Sequence, residues 1–153
     1  AQMVAGVTDG ATCAANDFAL VQVTGAAKRR VSSTVPYWNG PSGVATLPAE
    51  GATVFGLARS SASARALPRI GTVGPVGTGA ATVSTPLPST QRARGGGFLD
   101  DQGRAVGVLT RSAASGDNTV VSLADVVGYA AAHGVPGLQL VPGHGTFSGA
   151  AVV

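Results

Sequence analysis

Two histidines, one cysteine and seven carboxylate side chains are the candidates this sequence offers for a general base, a thiol or a metal ligand. His133 ends a helical pattern just before Gly134, where a hydrogen-bonding or cationic side chain favours the last carbonyls. His144 stands in a glycine-rich stretch with no motif around it. Both therefore read as structural or solvated positions rather than as a base beside a nucleophile. Cys13 is the single cysteine. By itself it fits a bridge to a cysteine elsewhere or a buried free thiol equally well. Asp100 and Asp101 form a carboxylate pair, yet they fall between two apolar runs, and that position implies a solvated hairpin tip. No Gly-x-x-x-x-Gly-Lys phosphate loop, His-Glu-x-x-His zinc motif, cysteine pair or dinucleotide fingerprint occurs, so neither a metal nor a cofactor is expected.

The elements that must carry these residues are short. At 153 residues the chain is one domain by length, large enough for its own core. With 44% hydrophobic and only 11% charged residues, 23 Gly and 9 Pro, it suits short strands joined by many turns better than a helical bundle. Asn16–Val23 has the pattern of a strand with at least one buried face. Val35–Gly43 places aromatics among turn residues and reads as an ordered crossing segment anchored by Trp38. Thr53–Ala58, Arg69–Val73, Ala80–Thr85, Gly97–Leu99, Ala105–Thr110 and Thr119–Val121 are six strand candidates, which predicts an all-β closed barrel. Ser122 as cap, Asp125 three residues on and Gly134 as the stop predict one helix, with Leu123, Val126, Val127 and Ala130 on one face. Pro142–Gly149 reads as a mobile tail.

Charge and hydropathy exclude two classes of partner. The net charge of +3 is modest and the basic residues are scattered, apart from Lys28-Arg29-Arg30 and Arg92–Arg94. With seven aromatics in all, nucleic acid is not an expected partner. No apolar run approaches a membrane span, and Ala1-Gln2-Met3-Val4 lacks the form of a signal peptide, as expected of a mature or truncated product.

The stretch from Gly95 to Thr110, with its glycine cluster, Phe98-Leu99-Asp100 and Gly103-Arg104-Ala105-Val106-Gly107, resembles the hairpin that follows the nucleophile loop in trypsin-like serine proteases. Asn16-Asp17-Phe18-Ala19-Leu20-Val21 is similar to the segment that carries the triad aspartate in that family. Val35–Gly43 and Gly137–Gly143 resemble secreted actinobacterial members of it. The resemblance implies a chymotrypsin-like six-stranded antiparallel barrel with a carboxy-terminal helix, the first barrel mostly missing. Residues 1–34 would then be the end of the first barrel, 35–52 the crossing segment, 53–121 the second barrel, 122–134 the terminal helix and 135–153 a tail.

The same resemblance assigns roles. Asp17 would be the triad aspartate, which orients a histidine and stabilises its cation, although an aspartate before a strand, taken alone, is usually a turn residue. Arg94 occupies the serine position, with Arg92-Ala93 in place of Gly-Asp, and a guanidinium is no nucleophile. The backbone amides of Arg92 and Arg94 would fall at the oxyanion hole, where Arg92 replaces the glycine that permits the turn. Gly95-Gly96-Gly97 by itself reads as a flexible turn. Leu109, Thr110 and Arg111 would be the substrate-binding strand that pairs with an extended peptide. Only 16 residues precede Asp17, too few for the segment that carries the family's histidine. The expectation is a secreted serine endopeptidase relative that is inactive as this chain stands. Two other readings stay open: an extracellular β-barrel module that binds peptide or protein, and an assembly subunit that pairs with a complementary amino-terminal barrel or with itself, which would also give Cys13 a partner.

Overall fold

Alternating apolar residues and turn-forming glycines between residues 53 and 122 produce six antiparallel strands that close on themselves. A computed structural model describes residues 2–5, 18–32, 34, 35, 37–59, 66–86, 95–143 and 145–149. Its strands are β1 (Gln2–Ala5), β2 (Leu20–Gln22), β3 (Thr53–Arg59), β4 (Ala66–Val76), β5 (Ala80–Ser84), β6 (Gly97–Leu99), β7 (Ala105–Ser112) and β8 (Asp117–Ser122), followed by α1 (Leu123–Ala132). β1 and β2 pair with each other, and the barrel runs β3-β4-β5-β8-β7-β6 and closes between β6 and β3. Two three-stranded meanders are thus joined at β5–β8 and β3–β6. The first four barrel strands, in spatial order β6-β3-β4-β5, make a Greek key. Closure leaves the barrel without a long free edge.

The barrel is filled by alternating large and small residues. Val54, Val73, Ala81, Val83, Phe98, Val106, Leu109 and Val120 form its buried core. A side chain at Gly56 would meet the Phe98 ring at 2.8 Å, one at Gly71 would meet Val83 at 2.6 Å, and one at Gly107 would stand 2.6 Å from the Val121 carbonyl. Glycine at these three strand positions is a packing requirement, leaving room for Phe98, Val83 and the β8 backbone. At one end of the barrel the buried Asn118 ties the β5 and β8 ends together. Its Nδ2 lies 2.9 Å from the Val83 carbonyl and 2.7 Å from that of Gly116.

A second cluster sits outside the barrel wall, where Trp38, Phe55, Leu99 and Ala105 are buried with Val35, Leu57, Leu123, Leu140 and Phe147 against them. Tyr37 and Asn39, on either side of Trp38, have φ of 72° and 56°. This left-handed pair disfavours L-residues and is held in place by the buried indole between them. The crossing segment then runs alongside β7, with Ala45 N–H donating to the Ala105 carbonyl and Ala105 N–H to that of Gly43, at 2.9 and 2.8 Å.

Several expectations are met and several are corrected. The six strands, the closed barrel and the carboxy-terminal helix are as the sequence predicts, and Ser122 Oγ caps α1 by accepting from the Asp125 amide at 3.2 Å. β4 is longer than Arg69–Val73, because Pro68, Gly74 and Pro75, which read as breakers, are carried within it. Of the expected Asn16–Val23 strand, the described residues 18–23 are paired only over Leu20–Gln22 and leave Val21 exposed, because β1 is the one described partner and no second layer covers them among the described residues. The described residues of Pro142–Gly149, expected as a mobile tail, instead pack on the Trp38 segment and the barrel wall. Gly143 N–H donates to the Pro41 carbonyl at 2.9 Å, and the Phe147 ring lies 5.2 Å from that of Phe55 and 5.7 Å from that of Trp38. Burial of the Phe147 ring against this apolar surface, together with the Gly143 bond, holds these residues there.

Candidate functional site

Strand β7 positions the site. β6 stays in register with it only as far as Gly97↔Val108, and the glycine cluster then continues the contact by one residue. Gly95 N–H donates to the Leu109 carbonyl and Leu109 N–H to the Gly96 carbonyl, both at 2.8 Å. From Thr110 to Ser112 no described strand lies on that side of β7. A bulge between Leu109 and Arg111 shifts the pairing with β8 there, and Thr110 Oγ1 donates to the Thr119 carbonyl at 3.3 Å. A bulge at the end of a strand re-aims its side chains, here at the start of the open stretch.

Beside this stretch lies a groove of about 390 Å³. Val108, Leu109 and Thr110 of β7 line it together with Gly95, Val121, Leu123 and Val126, and Phe18-Ala19-Leu20 form the opposite wall. The wall is held by the edge of the Phe18 ring against Tyr129 of α1, at 5.5 Å between centroids. Among the described residues nothing ionisable lines the groove, and Thr110 carries its one polar side chain. The described lining, apolar but for Thr110, suits an apolar or extended ligand.

The predicted site residues separate into two groups. Leu109, Thr110 and Arg111 are on β7 as expected, Leu109 with its side chain buried in the barrel and Arg111 exposed. Asp17, Arg92 and Arg94 lie outside the described residues, as do Cys13 and His144. Two residues next to those segments in the chain, Phe18 and Gly95, both line the groove beside Leu109 and Thr110. The described ends of the three segments singled out in the sequence therefore converge on one place. His133 is not part of it. Its Nδ1 lies 2.8 Å from the Tyr129 carbonyl, which makes that nitrogen the donor, and its ring stacks on Tyr129 at 3.8 Å.

Asp100 departs from the solvated-tip expectation, which holds for Asp101 alone. Asp100 is buried, its Oδ1 accepting from the amides of Gln102 and Arg104 at 3.0 and 2.8 Å and its Oδ2 from Arg104 Nε at 2.7 Å. It is the organiser of the β6–β7 hairpin that aims β7 at the groove. Of the groove residues only Leu109 and Thr110 are assigned to a site by sequence reasoning; among those it misses are Leu123 and Val126. The apolar helix face holds a signal for these two, but that face alone reads as core. Among the described residues there is no group of three or more His, Cys, Asp or Glu able to hold a metal ion, and no helix is long and apolar enough to cross a membrane. Compared with known proteins, the chain matches no family model and no curated protein sequence.

Proposed function

We propose that this chain is a hydrolytically inactive relative of the trypsin-like serine endopeptidases that binds an extended segment of peptide or protein along the open stretch of β7. The convergence of Phe18, Gly95 and Leu109-Thr110 on a groove without ionisable side chains among the described residues carries this reading. A peptide laid beside Thr110–Ser112 would add a strand where none is described, while its alternate side chains enter the apolar groove. Arg94 at the nucleophile position, and a groove lining that includes no described histidine, favour binding over catalysis. The resemblance implies that the protein acts outside the cell. The exposed Val21 and the neighbouring, mostly apolar hollow of about 220 Å³ lined by Leu20, Val21, Gln22, Val135 and Leu138 favour, as a second reading, association with another chain or copy.

The test joins activity to binding. A fluorophosphonate probe should leave the protein unlabelled, and Arg94→Ser should not create peptide or ester hydrolysis, because a serine without a base stays a weak nucleophile. Val126→Trp, which fills the groove, should weaken binding of peptides selected from a displayed random library at least tenfold. Stoichiometric serine labelling with turnover would refute the inactive reading. Selected peptides that bind the Val126→Trp variant unchanged would refute the groove.

A further inference from the structure

We propose that the segment Lys28-Arg29-Arg30 is a proteolytic processing site, cut after Arg30 by an endoproteinase whose specificity pocket is acidic. The residues occupy a six-residue 3₁₀ helix, Gly25–Arg30, and every residue from Thr24 to Ser32 is exposed. None of them contributes to either buried cluster. The chain is anchored on both sides, by Phe18 and Leu20 at the groove and by Trp38 in the outer core, so the segment is an exposed bridge between two held points.

The geometry selects a protease over an anionic ligand. In a 3₁₀ helix successive side chains are about 120° apart, so three consecutive basic groups point three ways and cannot close on one phosphate or carboxylate. A protease cleft reads consecutive residues of an extended chain and engages all three. No ion pair restrains them, the Arg104–Asp100 bridge being the only one among the described residues. The helix is also weakly held. The Thr24 side chain makes no capping bond, the Val31 N–H to Lys28 carbonyl bond is long at 3.4 Å, and Val31 is already extended at φ −99° and ψ 128°. Unwinding it into a cleft therefore breaks few native interactions, which is the condition for nicking a folded protein. Hydrolysis adds one water across the Arg30–Val31 bond, the hydroxyl to the Arg30 carbonyl carbon and the proton to the Val31 nitrogen, with no other reactant.

The full chain is digested with a trace of trypsin and followed by intact mass, alongside a synthetic peptide of residues 24–35. A fragment beginning at Val31 should form at a rate within tenfold of the peptide's while Trp38 fluorescence stays native. The Lys28→Gln/Arg29→Gln/Arg30→Gln variant should unfold at the same urea concentration and give no such fragment. The proposal is overturned if cleavage there is more than tenfold slower than in the peptide, or if the fragment appears only in step with loss of the native Trp38 signal.

Discussion

Replacing Asp100 with alanine separates two explanations of the β6–β7 hairpin, one based on its ion pair and the other on the carboxylate as a cap for backbone amides. The ion pair alone predicts little, since the Arg104 side chain is 45% exposed and such pairs contribute about 0.2–1 kcal/mol. The carboxylate itself is buried and accepts from two backbone amides as well as Arg104 Nε. Bonds to an ionised acceptor contribute about 1.5–3 kcal/mol each. Gln102 and Arg104 are exposed, so water recovers part of the loss when the acceptor is removed. The expected cost of Asp100→Ala is about 2–3 kcal/mol, against about 0.5 kcal/mol for Arg104→Ala. Urea unfolding followed by the single tryptophan measures both, because the signal is coupled to the turn. Phe147 lies between Trp38 and Gly103, 5.7 Å from the indole and so close to Gly103 that a Cβ there would overlap its ring. With a urea slope of about 1–3 kcal/mol/M, Asp100→Ala should lower the midpoint by roughly 1–2 M. Equal losses in the two variants, or a loss below about 0.5 kcal/mol for Asp100→Ala, would refute the capping argument.

The other packing predictions follow from glycine environments. Gly107→Ala forces a methyl to 2.6 Å from the Val121 carbonyl oxygen, and thermal unfolding should register a loss of about 3 kcal/mol or more. Gly97→Ala, on the paired strand with the nearest atom 3.9 Å from the new methyl, should stay within about 0.5 kcal/mol and serves as the control. Gly128 is exposed inside α1, and a methyl added there would meet nothing within 4 Å. Gly128→Ala should therefore raise stability by about 0.5–1 kcal/mol in urea titration.

The barrel and its helix are legible in the sequence because their signals are local. Period-two alternation, turn residues between runs and the Ser122–Asp125 cap act within a few residues, so strand and helix positions follow from short windows. The amino-terminal part is less legible for a physical reason: Leu20–Gln22 has strand character, yet how much of it pairs depends on β1, a strand earlier in the chain whose pairing no short window of residues specifies. Composition is likewise read directly: two histidines and a single cysteine, none of them within a recognisable catalytic or metal motif. Tertiary structure decides the rest. Asp100 and Asp101 are indistinguishable as neighbours in sequence, and only the closing of the turn by Gly103 and Arg104 buries one and leaves the other in water. Phe147 looks like part of a glycine-rich tail until Phe55 and Trp38, far earlier in the chain, offer it a surface. The groove itself belongs to no single segment. It exists because β6 stops pairing before β7 does and because Phe18–Leu20 stand opposite, a coincidence of strand length and long-range packing that no local pattern of residues encodes.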